Sequence, residues 1–226
     1  ALSDTPFSLS ANILSMLINV AGSGAVAVSG AFTGNVITNS ITTEITDSTV
    51  TSETGGISET SVSSAGIVSI SVGVGGSGIA AVSVVAFGNT ITNRVESIVS
   101  DTSVLDAEGE IKLSASDMST IRSVGLSIAA SGGLAASIIG AVNFITNTVT
   151  AEISGSTITD GTNLNITALS DSNIYSFTGG IAASGAVAAQ LSLSGNVIIN
   201  AVASRIKDSN VELTGTVNLL STDSST

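Results

Sequence analysis

Glu108 and Glu110 are the residues here best suited to chemistry: two carboxylates on one face of an extended segment beside Lys112, the kind of pair from which a glycosidase draws its acid and its nucleophile or base. They flank Gly109 and recur in no other segment, so they read as a solvated, charged corner. Asp47, Asp101 and Asp208 stand at matching places of successive segments, where stacked carboxylates would offer calcium its oxygen ligands. Gly155 interrupts that row, and neither the EF-hand spacing nor the Gly-Gly-x-Gly-x-Asp nonapeptide of calcium-binding rolls occurs. Asp side chains bonding their own backbone at a corner are the preferred reading. Gly73-Val74-Gly75-Gly76-Ser77-Gly78 imitates a phosphate-cradling loop, yet no Lys-Ser or Lys-Thr follows and every repeat carries a version; it reads as a tight bend between apolar strands. The chain has no histidine and no cysteine, hence no imidazole base, no thiolate, no usual zinc set and no partner to activate a serine. The sequence predicts no enzyme, no catalytic residue and no resident cofactor, with calcium at the aspartate row the one exception left open.

The residues that recur most strictly are amides. Asn35 and Asn39, Asn89 and Asn93, Asn143 and Asn147, and Asn196 and Asn200 repeat with steps of 54, 54 and 53 residues. Ser23-Gly24, Ser77-Gly78, Ser131-Gly132 and Ser184-Gly185 precede them in the same phase, and Asp47-Ser48, Asp101-Thr102, Gly155-Ser156 and Asp208-Ser209 follow, each with a glycine beyond. A fixed period of this length means a stacked array of one supersecondary unit. The repeats run 1–61, 62–115, 116–169 and 170–221, with 222–226 beginning another, in one continuous solenoid. Asp4 lies farther before Ser23 than Asp171 lies before Ser184, so the first repeat is expected to carry an insertion around Phe7, Leu9, Ile13, Leu14, Met16 and Leu17.

Composition decides between helix and strand. Gly, Ala, Ser, Thr, Val and Ile dominate, and alternate residues of the asparagine segment (Asn35, Ile37, Asn39, Ile41, Thr43, Ile45) form one inward face, whereas Ser40, Arg94, Thr148 and Ala201 show the freely varied opposite face. Long uncharged stretches raise membrane spans, but their polar, β-branched content opposes helices, and six aromatics cannot supply the girdles of a transmembrane barrel. A chain that spans no membrane is expected. The fold class is all-β: a parallel β-solenoid of four ~54-residue repeats, whose length fits two or three windings each, or one with a hairpin. On the inward face the asparagines are a structural ladder. Stacked at the roughly 4.8 Å spacing of neighbouring strands, each amide bonds the next, caps a bend, or uses backbone and water where fewer strands stack. The stretch 171–196 has small or apolar residues at both parities, with Ser184-Gly185 as its bend. Burial against the same repeat is expected, a wall for another chain being the alternative.

Seventeen acidic against five basic side chains give a net charge of −12, which excludes nucleic acid as a partner and keeps an apolar polymer soluble. The phrase Ala151-x-Ile153-x-x-Ser156-x-Ile158-x-x-Gly161-x-x-Leu164-x-Ile166-x-Ala168 resembles the repeats of large bacterial surface adhesins of the filamentous-haemagglutinin and autotransporter kind. The resemblance implies a secreted, right-handed β-solenoid at the cell surface, used as stalk or adhesive fibre. The chain starts and stops at equivalent points of the repeat, which favours end-to-end association with copies of itself or flanking repeats. A surface glycan or protein of a host or neighbouring cell is the other expected partner. Carbohydrate binding along a groove is an alternative, as is ice binding through Thr38, Thr92 and Thr146, a row that Ile199 breaks.

Overall fold

The computed structural model describes residues 7–226, with side-chain environments from residue 12 onward. Thirteen strands follow one another: β1 (Phe7–Ser23), β2 (Val26–Thr46), β3 (Thr49–Ser52), β4 (Ile57–Ser77), β5 (Ala80–Ser100), β6 (Val104–Ala107), β7 (Ile111–Ser131), β8 (Leu134–Ser154), β9 (Thr157–Gly161), β10 (Leu164–Ser184), β11 (Val187–Lys207), β12 (Asn210–Leu213) and β13 (Val217–Ser225). They form three parallel sheets. One wide wall has the order β1-β4-β7-β10-β13, the other β11-β8-β5-β2, and a narrow edge is built from β12-β9-β6-β3.

Each repeat is a single winding: a long strand, a Ser-Gly bend, a second long strand, a turn, a short strand and a glycine corner. In the two wide walls, partners in neighbouring coils lie 54 or 53 residues apart, as in Ile57 with Ile111 and Leu164 with Val217; the narrow edge is less regular, with Thr49 paired to Val104 and Gly161 to Leu213. Fifty-odd residues fit one winding because most of them are spent in 21-residue strands. β1 pairs with β4 residue for residue from Phe7 to Ser23, so no extra residue enters the first coil there. The apparent insertion rested on Asp4, which lies outside the described residues.

The interior alternates in layers from the narrow edge to the bend. Beside the short strands the section is widest, and Leu105, Ile111, Leu113, Ile153, Ile158 and Leu164 fill it. Next come Asp117, Ser119, Asn93 and Asn147, then an isoleucine layer of Ile37, Ile67, Ile91, Ile121 and Ile145, then Asn89, Asn143 and Ser123. Phe87 and Ile139 form a further apolar layer, where a side chain at Gly125 would collide with the Phe87 ring. Ser83, Ser127 and Ser137 bond one another beyond it, Ser127 Oγ donating to Ser83 Oγ at 3.0 Å. Ala81, Ala129 and Ala135 close the bend end. Side chains shrink from leucine to alanine because the two walls converge there, and close packing leaves room for nothing larger.

The small, apolar stretch around the bend is covered on one face only. Its inward parity meets the opposite wall, while its outward parity faces solvent, with Val36 65% and Phe32 67% exposed. Both parities are apolar because the inner one needs small residues for converging walls; among the described residues no layer covers the outer one.

Candidate functional site

The first asparagine row forms a continuous ladder through four coils. Asn35 Nδ2 donates to Asn89 Oδ1 at 2.8 Å, Asn89 to Asn143 at 2.7 Å, and Asn143 to Asn196 at 2.8 Å. Parallel, in-register strands place identical amides one strand spacing apart, so each carboxamide donates in one direction and accepts in the other.

The second row works differently. Asn93 Nδ2 and Asn147 Nδ2 both turn across the interior to Asp117, at 2.7 Å and 2.6 Å, and Ser119 Oγ donates to the same carboxylate at 2.7 Å. Asn147 also gives bonds to Ser119 and Ser172, and its Oδ1 accepts the backbone N–H of Asn93. Asp117 is 1% exposed, and burial raises its pKa against the lowering effect of these donors. Ser170 occupies the equivalent place one coil on and Asp223 the next, where Asn200 Nδ2 donates to Asp223 Oδ1 at 2.9 Å. In the coil before Asp117 the same places hold Ser63 and Ala65, and among the described residues Asn39 Nδ2 has no partner.

A second acid lies inside. Glu59 takes a row otherwise filled by Leu113, Ile166 and Leu219, and its Oε1 accepts the Ile98 backbone N–H at 2.9 Å. Burial pushes its carboxyl up to about 7, although bonds from Thr43, Ile98 and Ser97 act in the opposite sense. Both acids sit at inward parity in their strands, Glu59 between Ile57 and Ser61, Asp117 between Ala115 and Ser119; that alternation is the sequence signal that marks them.

The aspartate row at the turn has a backbone explanation. Asp47, Asp101 and Asp208 adopt φ of 44°, 53° and 47°, and Gly155, the residue that breaks the row, has φ of 56°. The corner needs a left-handed residue, which Asp tolerates and Gly takes freely, so all four obey one geometric rule. Among the described residues no three acidic side chains converge as a metal site. Glu108 and Glu110 are exposed at the Gly109 corner, and Glu110 accepts a bond from Asn165 rather than facing its neighbour across a cleft.

On the β2, β5, β8 and β11 wall, charge and apolarity occupy opposite halves. Ion pairs such as Arg94–Glu96 at 2.7 Å and Arg205–Glu152 at 3.1 Å lie toward the narrow edge. From the bend to Thr38 and its equivalents, the β2, β5, β8 and β11 wall carries no charged residue. Thr38, Thr92 and Thr146 are in register and exposed, with Ile199 the fourth in the row. Among the described residues no helix is long and apolar enough to cross a membrane. Set against known protein families, curated proteins and solved structures, the chain matches none of them.

Proposed function

We propose that this chain is a non-enzymatic building block of a bacterial extracellular fibre or giant surface adhesin, extended along its axis by adding coils. One observation carries the reading: both wide sheets keep the same 54- or 53-residue register from coil to coil, with ladders and core rows that each new coil prolongs. Such an array gains stability from nearest-neighbour stacking and has no intrinsic length. The outermost strand of each sheet presents backbone donors and acceptors to the next coil, whether that coil belongs to the same polypeptide or to another copy. An adhesive role, with a glycan or protein of a neighbouring cell as partner, rests on the resemblance to surface adhesins.

Electron microscopy of the purified chain at rising concentration tests the structural role. Filaments lengthening along the coil axis are expected. A particle that stays one copy long at every concentration would refute self-association, and turnover of any polysaccharide in a substrate panel would refute the non-enzymatic assignment. The exposed threonine row supports ice binding as a second reading, which absence of thermal hysteresis would exclude.

A further inference from the structure

We infer that the bend-side half of the β2-β5-β8-β11 wall is a lateral docking surface for a second copy of this chain. The surface goes beyond end-to-end growth, because it lies on the outward side-chain face of a wide wall and not on the open edges of its outermost strands. Its size fits the assignment. From Val26 to Thr38 the strand advances about 40 Å at ~3.3 Å per residue, and four strands stack to about 19 Å. The face therefore offers roughly 760 Å² per copy, close to the ~800 Å² per partner of stable interfaces.

Charge placement points to the same partner. A chain of net charge −12 repels its own copies unless the contact lies away from the carboxylates, and this face holds no charged residue in any of its four strands. Relief supplies the complementarity. A shallow hollow of about 820 Å³ runs across all four coils, floored by Gly88 and Gly140. A twofold axis parallel to the solenoid and passing over the row Gly34, Gly88, Val142, Gly195 exchanges the two flanking rows at constant height. Phe144, 40% exposed, then faces Gly140 of the other copy, a large side chain against none.

A lipid bilayer is the less favoured occupant. It would cover the Ser-Gly bends along with the walls and bury their polar groups, and this face has Phe32 and Phe144 but no belt of tyrosine or tryptophan.

Sedimentation equilibrium of the full 226-residue chain, its Val142→Glu variant and its Thr148→Glu variant tests the surface. Val142 and Thr148 both point outward from β8, so neither change enters the core. Below the concentration at which filaments form, a two-copy particle is expected for the wild type and for Thr148→Glu, with the dimer Kd raised at least a hundredfold by Val142→Glu. Because the chain has no cysteine, Val142→Cys provides a second readout: a short bifunctional maleimide should join two copies through that residue. A wild type that remains a single copy overturns the inference, as does equal pairing by Val142→Glu. Transfer of the wild type from the dimer to floating neutral phosphatidylcholine vesicles also overturns it, in favour of a lipid occupant. Wild-type filaments two solenoids wide that become one wide in Val142→Glu support the surface. Wild-type filaments one solenoid wide overturn it while leaving end-to-end growth standing.

Discussion

Substituting leucine for Glu59 should stabilise the solenoid by an amount that depends on pH. The carboxyl is 8% exposed, in a row whose other members are Leu113, Ile166 and Leu219, and its pKa is raised from 4.5 to about 7. A folded-state pKa above the unfolded one means that the folded chain holds the proton more tightly. Stability from this group is therefore full below about pH 4.5, falls as pH rises through the window to about 7, and is flat above it. A shift of that size, at roughly 1.4 kcal/mol per pH unit, removes about 3 kcal/mol. Leucine abolishes this loss. It also adds about 1.5–3 kcal/mol of apolar burial, and it strands the Ile98 N–H at a cost of about 1–3 kcal/mol; those two terms offset each other. Urea unfolding of both proteins at about pH 4 and about pH 8, followed by circular dichroism, reads the difference. Near equality in acid and an advantage of about 3 kcal/mol for Glu59→Leu in mild base are expected. Asp117, whose pKa is also raised, gives a slope of the same sign but is common to both proteins and drops out of the comparison. An advantage that does not change with pH would show the reasoning wrong.

The second asparagine row should respond in the opposite direction. Asn147→Leu takes one donor from the buried Asp117 carboxylate and the acceptor from Asn93 N–H, so a net loss of about 2–4 kcal/mol is expected after credit for apolar burial, measurable as a lower urea midpoint. Asn39→Leu should cost clearly less, since among the described residues its Nδ2 has no bond to lose. At the turn, Gly155→Asp should alter stability by less than about 1 kcal/mol because three other coils hold aspartate in that conformation, whereas Gly155→Val should cost about 1–2 kcal/mol or more. Gly125→Ala should cost about 1–3 kcal/mol through its collision with Phe87 and recover part of it in the Phe87→Ala background, a coupling that a double-mutant cycle would register.

Much of this was legible from period and parity. The recurrence of asparagines, bends and corners specified repeats, and alternation placed Asn35, Ile37 and Asn39 on one inner face. The number of windings was not legible, since a hairpin and a wall give the same alternation within a strand and only pairing between Ile57 and Ile111 decides the matter. The ladder of Asn35, Asn89 and Asn143 follows from stacking like on like. The partner of Asn93 and Asn147 does not, because Asp117 reaches them from the opposite wall and strand periodicity carries no information about what faces across a core. The outward parity of 171–196 was read as covered because small or apolar residues fill both parities there; the small size of the inner residues reflects converging walls instead. Gly155 looked like a defect in an acidic row until the shared left-handed backbone gave the row its rule.

The single winding per repeat also fixes how the molecule would yield under tension. Every ladder of the two wide walls joins residues 53 or 54 apart, so a pull along the chain detaches the outermost coil before the next one bears load. Each detachment frees a whole repeat of chain, about 180 Å at ~3.4 Å per residue, from an element that occupied about 5 Å of axial height. A solenoid built this way is a stack of large, equal extension steps that lengthens under force while the remaining coils keep their register.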